Sequence, residues 1–379
     1  MAADEAKAEA GAATRWRFSV LESCRGFLAV VVVVNHLTAA THFYAFIRNG
    51  WVAVDFFFVL SGFVIASVYE ARIRSVGALG RYVVRRIGRL YPLHLVVLAV
   101  LLLIEAGKLA LSDPSAFTGD NSWPAFWSSL ALLNGFNAYS QSWNYPSWSV
   151  GIEFWANLVA GALILACGRW FRLGALATIA ALAAFMFSDR WIDYGDAQGR
   201  MEILFNAAEY ALEFFVGMLT FGAFRWARGR GIGAPPGLDL VALAITLAVF
   251  RFGDVMPALS KAAVFAAVVL ILAFERGPLS WLLRRRPCLW LGTISYSIYL
   301  THAVYVSLFS IAIYDVGAQL GLPITSPIGG ENVITLGGPW VEDALALALV
   351  AVVVASSGLT YRFVEDPARR WFNRVSGGG

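Results

Sequence analysis

The sequence predicts an all-α membrane protein, a polytopic bundle of about ten transmembrane helices with both termini in the cytoplasm. Of its 379 residues, 59% are hydrophobic and only 14% are charged, whereas about a quarter of the residues are charged in ordinary soluble domains. Several apolar stretches reach the roughly 20 residues with which a helix spans a bilayer. Arginines concentrate in alternate loops, which is the positive-inside bias of cytoplasmic loops.

Ten apolar stretches give the predicted spans. In chain order they are 18–42, 51–70, 93–111, 147–168, 173–188, 207–225, 238–252, 259–275, 289–314 and 341–361. The short apolar segment 123–133 is predicted to pack at the outer surface, because a crossing there would invert every later loop and its arginines. The predicted outer loop 315–340 contains no Lys or Arg, which fits this topology.

The spans define one membrane domain, residues 18–366, between two short tails. Residues 1–17 are rich in Ala and Glu and lack the apolar core of a signal peptide, so we predict a disordered cytoplasmic tail. Residues 367–379 form the predicted cytoplasmic C-terminal tail. Because the net charge of +4 is small and most arginines lie in loops, we expect a lipid bilayer and no nucleic acid as partner.

The three cysteines do not form a recognisable pattern. Cys24, Cys167 and Cys288 lack the spacing of a metal site. The predicted topology places them near cytoplasmic helix ends, where thiols stay reduced. We expect structural thiols, no metal and no permanently bound cofactor.

Two ionisable residues lie at the ends of the stretch RGFLAVVVVVNH, from Arg25 to His36. Eleven residues at 100° each end about 20° past three full turns, so both side chains share one helix face about 16 Å apart along the axis. Arg25 would contact a ligand or extend to the lipid headgroups at the cytoplasmic surface. His36 would lie deep in the membrane, as a functional group or in an interhelical hydrogen bond.

A second basic cluster follows in the loop RYVVRRIGRLYP. Arg86 and Arg89 are neighbours on a helix face, and arginine binds phosphate oxygens in a bidentate manner, although positive-inside loops also collect arginines. With Arg25, the pair suggests an elongated ligand whose anionic end is cytoplasmic and whose reactive end reaches His36. A coenzyme A thioester has this shape, with phosphates, a long pantetheine arm and an acyl group.

Six motifs occur in a fixed order between about residues 20 and 370. They are Arg25-x10-His36, FFFVLSG (Phe56–Gly62), Arg86-x-x-Arg89, PSWSVGIEFW (Pro146–Trp155), SYSIYLTH (Ser295–His302) and YRFVEDP (Tyr361–Pro367). Each is weak alone. With all six motifs in this order, the chain resembles the acyltransferase 3 family of integral membrane acyltransferases. It is similar to the stand-alone members without a fused hydrolase-like domain.

The resemblance implies an enzyme that moves an acyl group, most often acetyl, from cytoplasmic acyl-CoA to a hydroxyl of a glycan or lipid. It implies His36 as the catalytic histidine and Arg25, Arg86 and Arg89 as acyl-CoA-binding residues. We expect acetyl-CoA, or another acyl-CoA, as donor substrate, and a cell-surface or exported polysaccharide or lipopolysaccharide as acceptor. Small secreted acceptors stay open. The resemblance also implies a multi-pass protein of a bacterial inner membrane, with proteins of glycan export as further partners.

This chemistry requires a general base, because a hydroxyl is a poor nucleophile and a histidine can accept its proton near neutral pH. Glu153, roughly six residues into its span, is predicted to orient His36 or to bind acceptor hydroxyls; the alternative is a buried pair with an arginine. Trp148 and Tyr145, in the aromatic segment before it, are predicted to bind substrate. Ser61 is predicted to do the same.

Other polar residues have more than one interpretation. Ser61-Gly62 also fits small-residue helix packing, and His302, which the resemblance places in the substrate cavity, also fits an interhelical hydrogen bond. Asp55 is expected near the site or facing water at the end of its span. The remaining residues have simple expectations: Glu209 and Glu213 line the cavity or pair with arginines, His42 and His94 lie at membrane interfaces, and Glu365 pairs locally with Arg362, Arg369 and Arg370.

Two other functions fit the same residues. A transporter or flippase for a lipid-linked sugar would explain deep polar groups and an aromatic outer face. A sensor or scaffold that binds acyl-CoA without chemistry would explain the arginines. A membrane bundle does not decide among these functions, and the six ordered motifs favour the acyltransferase.

Overall fold

Helices form almost all of the regular structure in the computed structural model, which describes residues 16–139, 141–190, 192, 197–321, 323–328 and 330–377. The helices are α1 (Ser19–Leu37), α2 (Tyr44–Ile47), α3 (Ala53–Tyr69), α4 (Val76–Ala110), α5 (Trp123–Leu130), α6 (Ser147–Cys167), α7 (Phe171–Met186), α8 (Gln198–Gly229), α9 (Leu238–Phe252), α10 (Ala258–Ala273), α11 (Pro278–Leu283), α12 (Arg286–Thr293), α13 (Ser295–Leu320), α14 (Pro339–Thr360) and α15 (Asp366–Val375). Strands β1 (Thr325–Ile328) and β2 (Glu331–Ile334) form an antiparallel hairpin.

Seven segments of the described chain are long and apolar enough to cross a membrane. They are Ser19–Leu37, Gly50–Tyr69, Val76–Ala110, Ser147–Met186, Gln198–Gly229, Ser295–Tyr314 and Pro339–Val375. Each predicted span overlaps a helix, but 18–42 extends past the end of α1 at Leu37, and 289–314 covers parts of both α12 and α13. Helices α7, α9 and α10 have only 16, 15 and 16 residues. The chain is therefore an all-α, multi-pass membrane protein.

Helix α4 begins much earlier than predicted. We expected the third span to start after Tyr91-Pro92, but α4 begins at Val76 and Pro92 lies inside it. Ser75 caps the start, since its Oγ accepts a hydrogen bond from the Ala78 N–H at 3.2 Å. A proline is tolerated inside a membrane helix because neighbouring groups satisfy the freed backbone. Hydropathy identified only the apolar half of α4 and missed the basic half with the arginine pair.

The two predicted outer segments had different outcomes. Within 123–133, α5 has only eight residues, too few to span a bilayer, as predicted. Within 315–340 the hairpin was not predicted, because each strand has only four residues. The Ile334 N–H donates to the Thr38 carbonyl at 2.9 Å, and the Ile334 carbonyl accepts from the Ala40 N–H at 3.0 Å. These bonds attach the hairpin to the chain directly after α1.

The C-terminal segment packs on the bundle through α15. Phe372 fills the space where a side chain would stand at Gly88 of α4, and Arg85 Nε donates to Ser376 Oγ at 3.0 Å. Most of the predicted N-terminal tail, residues 1–15, lies outside the described residues, as do residues 378–379. A π-helical turn, Tyr361–Glu365, joins α14 to α15.

Helices α3 and α8 cross with their backbones in contact, and two glycines permit this approach. A Cβ added at Gly62 would overlap the Phe214 carbonyl, and one added at Gly217 would overlap the Val59 carbonyl. Small residues allow such close crossings in membranes. The helix-packing interpretation therefore applies to Gly62, while its neighbour Ser61 lines a cavity.

Replacing Gly62 or Gly217 with alanine is expected to destabilise the fold by about 1–3 kcal/mol, because the methyl group must push two backbones apart. The matched control is Gly107→Ala in α4, where nothing lies within 4 Å of an added Cβ. That change is expected to be neutral or stabilising by up to ~1 kcal/mol. Thermal unfolding of the detergent-purified protein measures the stability of all three variants. Equal unfolding midpoints for the three would contradict the close crossing of α3 and α8.

Candidate active site

The three arginines predicted to bind acyl-CoA meet in one cavity, here called the arginine cavity. It has a volume of about 110 Å³ and lies between α1, α3, α4, α6 and α13. Its polar lining consists of Arg25, Ser61, Arg86, Arg89, Ser149, Glu153, Ser295, Tyr296 and Tyr299. The sequence alone did not single out Ser149, nor Ser295, Tyr296 and Tyr299 of α13, although the last three belong to the SYSIYLTH motif.

Two of these arginines have no carboxylate within ion-pair distance among the described residues. Arg25 Nε donates to Ser295 Oγ at 2.8 Å. The Arg86 guanidinium lies 5.6 and 5.9 Å from the ring centroids of Tyr69 and Tyr82. In the described part of the chain, neither Arg25 nor Arg86 forms an ion pair with a carboxylate. Two positive charges are thus available to an anionic ligand.

Glu365 pairs with Arg89 and not with its sequence neighbours, so that prediction was wrong. Its Oε1 accepts from Arg89, and its Oε2 accepts from Ser297 Oγ at 2.8 Å. Arg369 pairs with Asp366 at 2.9 Å. The π-helical turn that ends at Glu365 changes which side chains share a face. Because the Glu365 side chain is only 1% exposed, the pair is buried between α4, α13 and the turn.

Glu153 lies in the arginine cavity, where its Oε1 accepts a hydrogen bond from Ser61 Oγ at 2.7 Å. The pair joins α6 to α3. The group that holds the His36 ring is the Val32 carbonyl, so the predicted orienting contact from Glu153 is absent from the described contacts. Hydroxyl binding by Glu153 stays a prediction.

His36 lies in the last turn of α1, at a second cavity. This histidine cavity has a volume of about 410 Å³ and is also lined by Asn35, Thr38, Tyr44, Arg48, Trp51 and Glu331. His36 Nδ1 lies 2.9 Å from the Val32 carbonyl oxygen. Because a carbonyl only accepts, the proton of the neutral ring is on Nδ1 and the lone pair is on Nε2. The ring is in the tautomer that a general base needs.

Aromatic side chains connect His36 to the arginine cavity. The His36 ring centroid lies 5.0 Å from Tyr145 and 5.0 Å from His302. His302 Nδ1 donates to the Tyr299 carbonyl at 2.6 Å, and its ring lies 5.8 Å from the Tyr299 ring. Tyr299 lines the arginine cavity, and its hydroxyl lies 2.7 Å from Ser149 Oγ. Tyr299 and His302 therefore lie between the arginines and His36.

Trp148 faces a third cavity, here called the aromatic cavity. It has a volume of about 420 Å³, and Trp51 lines both it and the histidine cavity. The residues predicted to bind substrate are thus divided. Ser61 lies in the arginine cavity, Tyr145 and His302 lie beside His36, and Trp148 lies in the aromatic cavity.

Asp55 is completely buried and does not face water. Lys261 Nζ lies 2.6 Å from Asp55 Oδ1 and 2.8 Å from Glu209 Oε1, so Glu209 pairs with a lysine and not an arginine. Carboxylate oxygens of Asp55, Glu209 and Glu213 lie within 4.8 Å of one another, close enough to hold a metal ion. The Lys261 ammonium already supplies a cation there. A buried carboxylate needs such a partner, which hydropathy alone does not reveal.

The two other histidines differ in position. His94 is buried, and its Nε2 lies 2.9 Å from the Ser129 carbonyl oxygen. His94 lies in the middle of α4, which begins at Val76, and its interfacial position stays a prediction. His42 is partly exposed, with Nδ1 2.6 Å from the Asp343 carboxylate.

Residues 19–361 match a family described as an acyltransferase domain. The match covers nearly the whole chain, with five of the six ordered motifs and the first residue of the last one. The chain belongs to the acyltransferase 3 family. It is therefore a membrane acyltransferase, and the transporter and sensor interpretations lose their support.

Several similar proteins are named as acyltransferases. The acyltransferase MdmB of Streptomyces mycarofaciens is 27% identical over 94% of this chain and 93% of its own. The peptidoglycan O-acetyltransferase OatA of Listeria monocytogenes is 23% identical over 92% of this chain but only 55% of its own, so this chain spans about half of its length. No solved structure matches the chain significantly.

Proposed function

We propose that this acyltransferase resides in a bacterial inner membrane and moves an acyl group, acetyl by default, from cytoplasmic acyl-CoA to a hydroxyl of a cell-surface or exported glycan. The observation that carries the proposal is the convergence of three arginines on one cavity that Tyr299 and His302 connect to His36. In this proposal ten helices cross the membrane with both termini in the cytoplasm. The arginine cavity then opens inward and the histidine cavity opens outward.

The donor is bound through its phosphates. Arg25 and Arg86 hold the uncompensated charge that phosphate oxygens require. Because the arginine cavity has only about 110 Å³, it holds the pantetheine arm, while the phosphates lie with Arg25 and Arg86 at its mouth and the adenosine stays outside. Arg89 acts as a positioning residue that fixes α4 against Glu365. The side chains of Tyr299 and His302 change rotamer so that the thioester can reach His36.

The reaction proceeds by direct transfer. His36 Nε2 removes the proton of the acceptor hydroxyl as its oxygen attacks the thioester carbonyl. Collapse of the tetrahedral intermediate breaks the carbon–sulfur bond, and the leaving thiolate of CoA takes the proton from His36. We assign Tyr145, whose ring lies 5.0 Å from His36, as the donor to the oxyanion. A burst of CoA release without acceptor would replace this route with an acyl-enzyme.

The acceptor class rests on the relatives and on the aromatic cavity. OatA is named as a peptidoglycan O-acetyltransferase, which supports a glycan hydroxyl as acceptor. The two aromatic-lined cavities that reach toward His36 suit a polar ligand with apolar faces. Partner proteins would supply the glycan during export.

Acetyl-CoA is expected to raise the thermal stability of the detergent-purified protein, because a ligand that binds only the folded state stabilises it. At a hundredfold excess over its dissociation constant the gain is about 2.7 kcal/mol. Arg25→Ala and Arg86→Ala are expected to remove most of the shift, since each deletes an uncompensated charge.

The matched control is Arg81→Ala, which removes an exposed arginine of α4 outside the arginine cavity. It should keep the full shift. A folded parent protein with no shift, or equal shifts in all four proteins, would contradict the assignment of the arginine cavity to acyl-CoA.

A further inference from the structure

The aromatic cavity has the composition of a built ligand site. Its volume of about 420 Å³ falls within the roughly 300–1,000 Å³ of small-molecule sites. Its lining combines three aromatic rings with amide and carboxylate groups, among them Trp51, Trp148, Tyr210, Gln141, Asn206 and Glu209. An alkyl chain would leave these polar groups without partners, which is costly.

Each aromatic ring packs against a neighbouring side chain. The Trp148 and Tyr210 ring centroids lie 4.9 Å apart, and Tyr210 packs 5.0 Å from Phe58. The Lys261 ammonium lies 4.6 Å from the Trp51 ring centroid, which is a favourable cation–π distance. The rings therefore present fixed faces, which lowers the entropy cost of binding.

A cluster of charged side chains at the aromatic cavity positions one of its aromatic rings. Lys261 is fixed by Asp55 and Glu209, and it in turn fixes Trp51. Glu209 is partly exposed and lines the cavity, and a carboxylate has acceptor capacity for further hydrogen bonds beside its ion pair. Carboxylates outnumber cations here, since Asp55 and Glu209 both pair with the single ammonium of Lys261. The floor therefore disfavours an anionic ligand.

The aromatic cavity adjoins the histidine cavity through a shared wall. Trp51 lines both cavities. At the rim, Arg48 of the histidine cavity pairs with Asp254 of the aromatic cavity at 3.4 Å. A ligand seated against Trp51 therefore lies next to the cavity that His36 lines.

We propose that the aromatic cavity is the acceptor subsite and binds a neutral hexopyranose unit of the glycan. A pyranose ring has apolar C–H faces, which suit the electron-rich faces of Trp51 and Trp148. Its hydroxyls lie at the ring edge, where Asn206, Gln141 and Glu209 meet them. This inference rests on the proposed function, because it names the acceptor of that reaction.

Saturation-transfer difference NMR tests the subsite without any acyl-CoA. The full chain is placed in lipid nanodiscs, since sugar-based detergents would compete. The probes are methyl β-D-glucopyranoside, methyl β-D-galactopyranoside and methyl β-D-glucopyranosiduronate. Saturation transfer to the ring C–H protons of at least one neutral probe is expected, with at least fivefold less for the uronate.

The variants Trp51→Leu and Trp148→Leu are expected to lose at least fivefold of this signal. The matched control Trp127→Leu, an exposed tryptophan outside the cavity, should keep it. If either tryptophan variant unfolds earlier on heating, Asn206→Ala and Gln141→Ala take its place and should weaken the signal.

The outcomes separate this inference from the proposed function. No signal in a protein that still gives the acetyl-CoA stability shift overturns the subsite alone. A signal lost in the tryptophan variants, without any acetyl-CoA shift, supports the subsite and overturns the donor. A signal equal in all variants, or as strong for the uronate, also overturns the subsite.

Discussion

Replacing His36 with alanine is expected to lower the rate of acyl transfer by about 10²–10⁴-fold, the range that a general base contributes. The reason is the tautomer of the ring. Because Nδ1 donates a hydrogen bond to the Val32 carbonyl at 2.9 Å, Nε2 is left to accept the hydroxyl proton. The acetyl-CoA stability shift should persist, because the arginine cavity does not include His36.

The assay measures transfer of radiolabelled acetyl to glycan acceptor in a single turnover, so that product release does not mask the chemical step. His42→Ala is the matched control, because His42 is partly exposed and pairs with Asp343 outside the histidine cavity. It should retain near-parental activity. Transfer that survives His36→Ala at the parental rate would remove His36 as the base.

The second large effect is expected at the buried Arg89–Glu365 pair. Arg89→Ala or Glu365→Ala should each destabilise the protein by about 3–5 kcal/mol, because the remaining charge is left buried without a partner. The Glu365 side chain is only 1% exposed, and the Arg89 side chain 16%. Water therefore does little to compensate for the missing charge.

A double variant tests whether the two buried charges stabilise the protein as a coupled pair. Arg89→Met combined with Glu365→Leu removes both charges and should recover most of the lost stability, since apolar replacements of a whole buried pair are often neutral or better. Arg81→Ala, at an exposed position of the same helix, should change the free energy of unfolding by less than about 0.5 kcal/mol. Additive losses in the double variant would contradict a coupled pair.

The sequence predicted the parts of the site whose signal is local. Arg25, Arg86 and Arg89 were found because cationic residues are conspicuous beside apolar spans, and all three line one cavity. His36 was found because an ionisable residue inside a span is costly. Ser149, Ser295 and Tyr299 were missed, because hydroxyl-bearing residues are ordinary in membrane helices and only the facing helices make them part of a site.

By itself, the sequence determined that this chain is a multi-pass helical membrane protein of the acyltransferase family, since apolarity, arginine bias and motif order are read along the chain. Only the tertiary structure decided which charges meet. Glu365 pairs with Arg89 across 276 positions, and Asp55 with a lysine on another helix. Such partners depend on helix rotation, crossing distance and a π-helical turn, which hydropathy does not encode. The placement of His36 beyond Tyr299 and His302 was decided in the same way.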